Sequence, residues 1–92
     1  MARHYLVRGR VQGVGYRNYV EHVAARLEIQ GYVRNRRDGT VEVFAMGSPE
    51  RLHELRHALR KGPMMAHVAD VAEEPSAVDP KYVGQFAVEM TI

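Results

Sequence analysis

The chain has 92 residues, 46% apolar and 26% charged, which is material for one small core and no more. Its net charge is +2 with neutral histidines, and it contains no cysteine. A disulfide scaffold, a cysteine-ligated metal or iron–sulfur cluster and a thiol nucleophile are therefore excluded. No apolar run is long enough to cross a membrane as a helix, and Met1 to Val7 lack the apolar core of a secretory signal. The expectation is a single domain over residues 1–92, cytoplasmic and monomeric, with no membrane association.

In chain order, His4 to Arg10 reads as a strand that runs into the glycine-rich loop Val11-Gln12-Gly13-Val14-Gly15. Tyr16, Tyr19, Val20, Val23, Ala24 and Leu27 then recur on one helical face, and Gly31 is expected to end that stretch. Tyr32 to Arg37 and Thr40 to Met46 read as paired strands about Asp38-Gly39, a pair suited to a two-residue hairpin turn. Ser48-Pro49-Glu50 starts a second helix with the buried stripe Leu52, Leu55, Ala58 and Leu59, and Lys61-Gly62-Pro63 stops it. His67 to Ala72 reads as a strand, Glu73 to Pro80 as a polar connection, and Gln85 to Met90 as a last strand. The order strand, helix, strand, strand, helix, strand, plus a C-terminal strand, predicts an α+β, ferredoxin-like split βαβ fold. Two helices would cover one face of an antiparallel sheet of four or five strands. That fold hosts many activities and decides none of them.

The small net charge conceals an asymmetry. Up to Arg37 the chain has eight arginines against Glu21 and Glu28, a balance of +6, and the remainder carries −4. Arginine suits phosphate and carboxylate, although a solvated basic surface has the same composition. The loop offers more. Glycines between a strand and a helix start can turn backbone N–H groups from Gln12, Gly13, Val14, Gly15, Tyr16 and Arg17 toward one point and so cradle an anion. Arg17 falls in the first turn of that helix, where the macrodipole opposes a cation. It is either an anion ligand or half of an i, i+4 pair with Glu21. Neither a Walker loop nor a dinucleotide fingerprint fits, because the lysine and the later glycine those motifs need are missing. Asn35 lies near a strand end. It is either turn chemistry or a carboxamide aimed at water or substrate.

Taken together, Gly9-Arg10-Val11-Gln12-Gly13-Val14-Gly15-Tyr16-Arg17 and Gly31-Tyr32-Val33-Arg34-Asn35-Arg36-Arg37-Asp38-Gly39-Thr40-Val41-Glu42 resemble the two signatures of the acylphosphatase family. The resemblance covers essentially the whole chain. Tyr16 stands where phenylalanine is commoner and Tyr32 where tryptophan is commoner, both aromatic for aromatic. The resemblance implies hydrolysis of the carboxyl–phosphate bond of acyl phosphates, with no metal, no cofactor and no phosphoenzyme. Arg17 would be the phosphate-binding arginine, and Asn35 would orient the attacking water. It further implies a small-molecule acyl phosphate as the only partner, with inorganic phosphate as product and competitive inhibitor, and no nucleic acid. The chemistry is consistent with so few groups. The departing carboxylate has a conjugate acid of pKa about 4, so it leaves without a general acid.

His53-Glu54-Leu55-Arg56-His57 matches a zinc-protease pattern. The leucine stripe of the same helix would turn both histidines to solvent, away from any cleft. Two further readings stand beside the enzyme. One is an RNA-binding module, which the arginines and exposed Tyr5, Tyr16, Tyr19 and Tyr32 would serve. The other is a regulatory domain that binds a small anion without turnover.

Overall fold

The computed structural model describes residues 1–92. Its elements are β1 (Ala2–Arg10), α1 (Tyr16–Arg26), β2 (Gln30–Asn35), β3 (Val41–Met46), α2 (Pro49–Lys61), β4 (His67–Ser76), a 3₁₀ turn (Pro80–Tyr82) and β5 (Phe86–Val88). The strands form one sheet in the order β4-β1-β3-β2-β5. β1 pairs antiparallel with β3 and β4, and β2 antiparallel with β3. β5 is the exception, lying parallel to β2. The ferredoxin-like layout is therefore as expected, with one parallel edge on an otherwise antiparallel sheet.

Alternation along the strands sorts side chains between the two sheet faces. Tyr5, Val7, Val33, Val41, Val43 and Ala45 enter the main core, where α1 contributes Val20, Val23 and Ala24 and α2 contributes Leu52, Leu55 and Leu59. The opposite face is only partly open. Ala2, Phe44 and Met46 are covered there by Tyr82 from the 3₁₀ turn, with Tyr32 packed against Phe44 and Tyr82. Beside this patch Glu42 is buried. It accepts hydrogen bonds from Arg34 Nε at 3.0 Å and Tyr32 Oη at 2.6 Å, and pairs with His4 Nε2 at 2.9 Å. Burial raises the Glu42 carboxyl, but the donors of Arg34, Tyr32 and His4 outweigh that effect and hold it at about 2.

Several local readings need correction. Helix α1 ends at Arg26, well before Gly31. The residue that turns the chain is Glu28, at φ 55, and two bonds close the helix: Glu28 N–H to Ala25 O and Ile29 N–H to Ala24 O. That is a Schellman cap with glutamate in the left-handed position glycine usually fills. Gly31 instead lies inside β2. There a Cβ would collide with the Phe44 carbonyl of β3, so the position needs glycine for close strand approach. The β2–β3 connection is also longer than the Asp38-Gly39 pair suggested. Arg36 N–H donates to Thr40 O, and Gly39 N–H donates back to Arg36 O, which leaves Arg37, Asp38 and Gly39 as a three-residue loop. β4 continues through Glu73 and Glu74 to Ser76, a stretch expected to be a connection. It pairs with β1 along its length, and as an edge strand it carries its acidic residues and Pro75 at little cost.

Candidate active site

β1 delivers the chain to the loop at Val11, whose side chain is buried, and the loop then rises onto α1. Gly15 is the residue immediately before the helix and has φ 78, a left-handed conformation with open space around it. That turn presents a continuous run of donors. No backbone N–H from Gln12 to Asn18 donates to another group of the chain; the first of this helix to do so is Tyr19 N–H, to Gly15 O at 3.1 Å. Convergent N–H groups at a helix start favour negative charge on geometry and on dipole alike.

The loop walls a cavity of about 420 Å³. Gln12, Gly13, Gly15, Tyr16, Arg17 and Asn35 all line it, which brings the two signature segments to one place. Val14, the remaining loop residue, packs against the main core. Arg17 is half-buried and takes part in no ion pair, so the alternative pairing with Glu21 is not made. Asn35 is the last residue of β2 and pairs with Val41, so it belongs to the sheet and not to the turn. Its Oδ1 is buried and meets no donor within the chain. A buried acceptor is costly unless something meets it, and Asn35 lines the cavity, from which a water or ligand could do so.

The Gln12 side chain has a separate task. Its Nε2 donates to Arg36 O at 2.7 Å and to Thr40 O at 2.8 Å, which ties the loop to the hairpin that follows Asn35. Tyr16 also acts at both ends. Its backbone begins the helix beside the cavity, while its ring is buried and its hydroxyl donates to Leu59 O at 2.7 Å. Tyr19 makes the matching bond to Ala58 O. These two hydroxyls fasten α1 to the end of α2 and so fix the direction of the helix start.

The remaining candidates lie elsewhere. Tyr5 and Tyr16, which the RNA-binding reading needs at the surface, are core residues, Tyr16 on the helical stripe read for α1. Tyr32 is sandwiched with Phe44 and Tyr82. The aromatics that an RNA-binding reading needs are thus engaged in the protein's own packing. Arg34 is committed to Glu42, and Arg36 faces Asp38 at 3.8 Å. Arg8, Arg10 and Arg37 are exposed, and none of these five arginines lines the cavity. His53 and His57 are exposed on α2, opposite Leu52 and Leu55. No group of three or more His, Cys, Asp or Glu side chains gathers around a common point. Four cavity residues were not among the candidate site residues: Val11, Asn18, Glu21 and Val88. Glu21 had entered only as a possible ion-pair partner of Arg17, one helical turn on. Val88 was out of reach, because nothing local says that β5 lies beside β2.

The family profile described as acylphosphatase matches residues 3–88. An acylphosphatase of Koribacter versatilis is 53% identical over 75 residues, covering 82% of this chain and 68% of that protein. Among solved structures, an acylphosphatase from Bacillus subtilis superposes with a TM-score of 0.89 at 32% identity, covering 97% of this chain and 99% of that one. An acylphosphatase from Coxiella burnetii gives a TM-score of 0.90 at 34% identity, covering 96% and 90% respectively.

Proposed function

The chain belongs to the acylphosphatase family of hydrolases, and on that premise we propose that it cleaves acyl phosphates by direct attack of water on phosphorus. The phosphoryl group sits in the loop from Gln12 to Arg17, where the backbone N–H groups and the Arg17 guanidinium hold its oxygens and offset their charge. The Asn35 carboxamide accepts a hydrogen bond from water and sets it in line with the leaving oxygen. A bond forms between the water oxygen and phosphorus as the bond from phosphorus to the carboxyl oxygen breaks. The electron pair leaves on the carboxylate, which is stable without a proton at neutral pH. Asparagine cannot take up the proton that water loses, so it passes to a phosphoryl oxygen of the substrate. The products are a carboxylate and inorganic phosphate. No step calls on a metal, a phosphoenzyme or a second copy of the chain.

The observation that carries this reading is the meeting, in one cavity, of a donor run without acceptors, an arginine without a carboxylate partner and a buried carboxamide oxygen without a donor. The test is benzoyl phosphate hydrolysis in EDTA, with and without added phosphate. Metal-independent turnover with competitive inhibition by phosphate is the expected result. Arg17→Ala should raise KM and lower kcat, whereas Asn35→Ala should lower kcat while phosphate still binds. Normal turnover in Asn35→Ala would remove the asparagine from the mechanism.

A further inference from the structure

The phosphate cavity does not close behind its cradle. A second hollow of about 350 Å³ continues from it along α1, and Glu21 lines both. On the sheet side the wall passes from Val88 in the first to Phe86 in the second, with Ala24 and Ala25 on the helix side. The two other hollows on the molecule share no residue with the phosphate cavity. A group attached to a cradled phosphoryl therefore has one walled path, the groove between α1 and β5.

That path has a sign. Arg17 stands at the cradle, and one helical turn further on stands Glu21, which has no ion pair or side-chain hydrogen bond within the chain. The only charged residues lining the second hollow are Glu21 and Glu28, and Glu28 is paired with Arg51 at 3.1 Å. The facing wall of Phe86 and Gln85 is uncharged. The groove thus has Arg17 at the phosphate end, Glu21 where the two hollows meet, and apolar surface from Ala24, Ala25, Ile29 and Phe86 along the second.

We propose that this groove receives the acyl group and that Glu21 selects neutral or cationic acyl groups over those bearing a second negative charge. The proposal rests on the acyl phosphate reading above. It makes Glu21 a specificity-determining residue that touches the part of the substrate that does not react.

The test compares kcat/KM for benzoyl phosphate, succinyl phosphate and β-alanyl phosphate, whose acyl groups are neutral, anionic and cationic. The native chain should favour the first and third over succinyl phosphate. Glu21→Gln should raise succinyl relative to benzoyl phosphate by about three- to tenfold at low ionic strength, as one unit charge is removed at short range near the surface. High salt should shrink the difference. Because the readout is a ratio, a general loss of folded protein does not move it. A ratio that changes by less than about twofold overturns the proposal. Binding of benzylphosphonate and 2-carboxyethylphosphonate repeats the comparison without turnover. A chain that hydrolysed no acyl phosphate would sink the parent reading, while the phosphonate ratio would still decide the groove.

Discussion

Gln12 offers a way to separate the site's geometry from its chemistry. In Gln12→Ala both bonds from Nε2, to Arg36 O and Thr40 O, are lost. Neither carbonyl is orphaned, because Gly39 N–H still donates to Arg36 O and Arg36 N–H to Thr40 O. The cost is then the net worth of two hydrogen bonds without a full desolvation penalty, about 1–2 kcal/mol in all. For a domain of this size that is a fall in Tm of roughly 5–15 °C. The functional effect should be larger than the thermal one suggests. On the proposed mechanism the loop would hold the phosphoryl group and the strand leading into the hairpin would carry Asn35, so the clamp would set the distance between electrophile and water. Misplacement by about 1 Å can cost on the order of a hundredfold in rate. The expected result at 25 °C, where the variant remains folded, is a fall in kcat of about ten- to a hundredfold with the inhibition constant for phosphate changed only a few-fold. Gln12→Glu sharpens the test. Its carboxylate would face two carbonyl oxygens, whereas the protonated acid can donate to one of them. Activity relative to the native chain should then rise as pH falls. A variant that loses Tm but keeps kcat, or shows no such pH trend, would mean the clamp is structural only.

Other substitutions probe the frame. Gly31→Ala should abolish cooperative folding, because the new Cβ meets the Phe44 carbonyl across the β2–β3 pair; circular dichroism of the purified variant checks it. Glu28→Gly should raise Tm by several degrees, relieving a left-handed glutamate at the end of α1 at a cost of one exposed ion pair to Arg51, for a net gain of up to about 1 kcal/mol. Glu42 has a folded-state pKa below its ordinary 4.5, at about 2, so its contribution is complete above pH 4.5 and is lost as pH falls toward 2. Acid titration of stability should show that loss in the native chain, and Glu42→Gln should be less stable at neutral pH and flatter across the same window.

Much of the frame was legible because it is written in local periods. The stripe from Tyr16 to Leu27 marked the buried side of α1, and Ser48-Pro49 marked the start of α2, where the Ser48 side chain does accept from Arg51 N–H. What was hidden depends on neighbours that no local rule names. Alternation assigns a residue to a face but does not say which strand lies alongside. The last strand was legible from alternation over Gln85 to Met90, though only Phe86–Val88 pairs; its placement parallel to β2, which builds the far wall of the groove through Phe86 and Val88, was not. Tyr5 carries no local sign of its burial, because tyrosine is amphipathic. The Leu52 and Leu59 carbonyls, remote in sequence, accept from the buried hydroxyls of Tyr5 and Tyr16.

Three residues of this chain break a local rule: Arg17 at a helix start, Asn35 within a strand and Glu28 in a left-handed backbone conformation. Such conflicts are expected to gather at functional sites, yet here they divide. Glu28 closes its helix with both Schellman bonds made and its carboxylate paired to Arg51, so its unusual conformation serves only to end α1. Arg17 and Asn35 keep polar groups that nothing in the chain satisfies, and both line the same cavity. A conflict between residue and position is therefore not by itself a marker of function. What sets Arg17 and Asn35 apart is that their unmet hydrogen-bonding capacity, a donor set on one side and an acceptor on the other, lies along one cavity. Sequence supplied the two conflicts, and the pairing of β2 with β3 together with the rise of the loop onto α1 made them face one another.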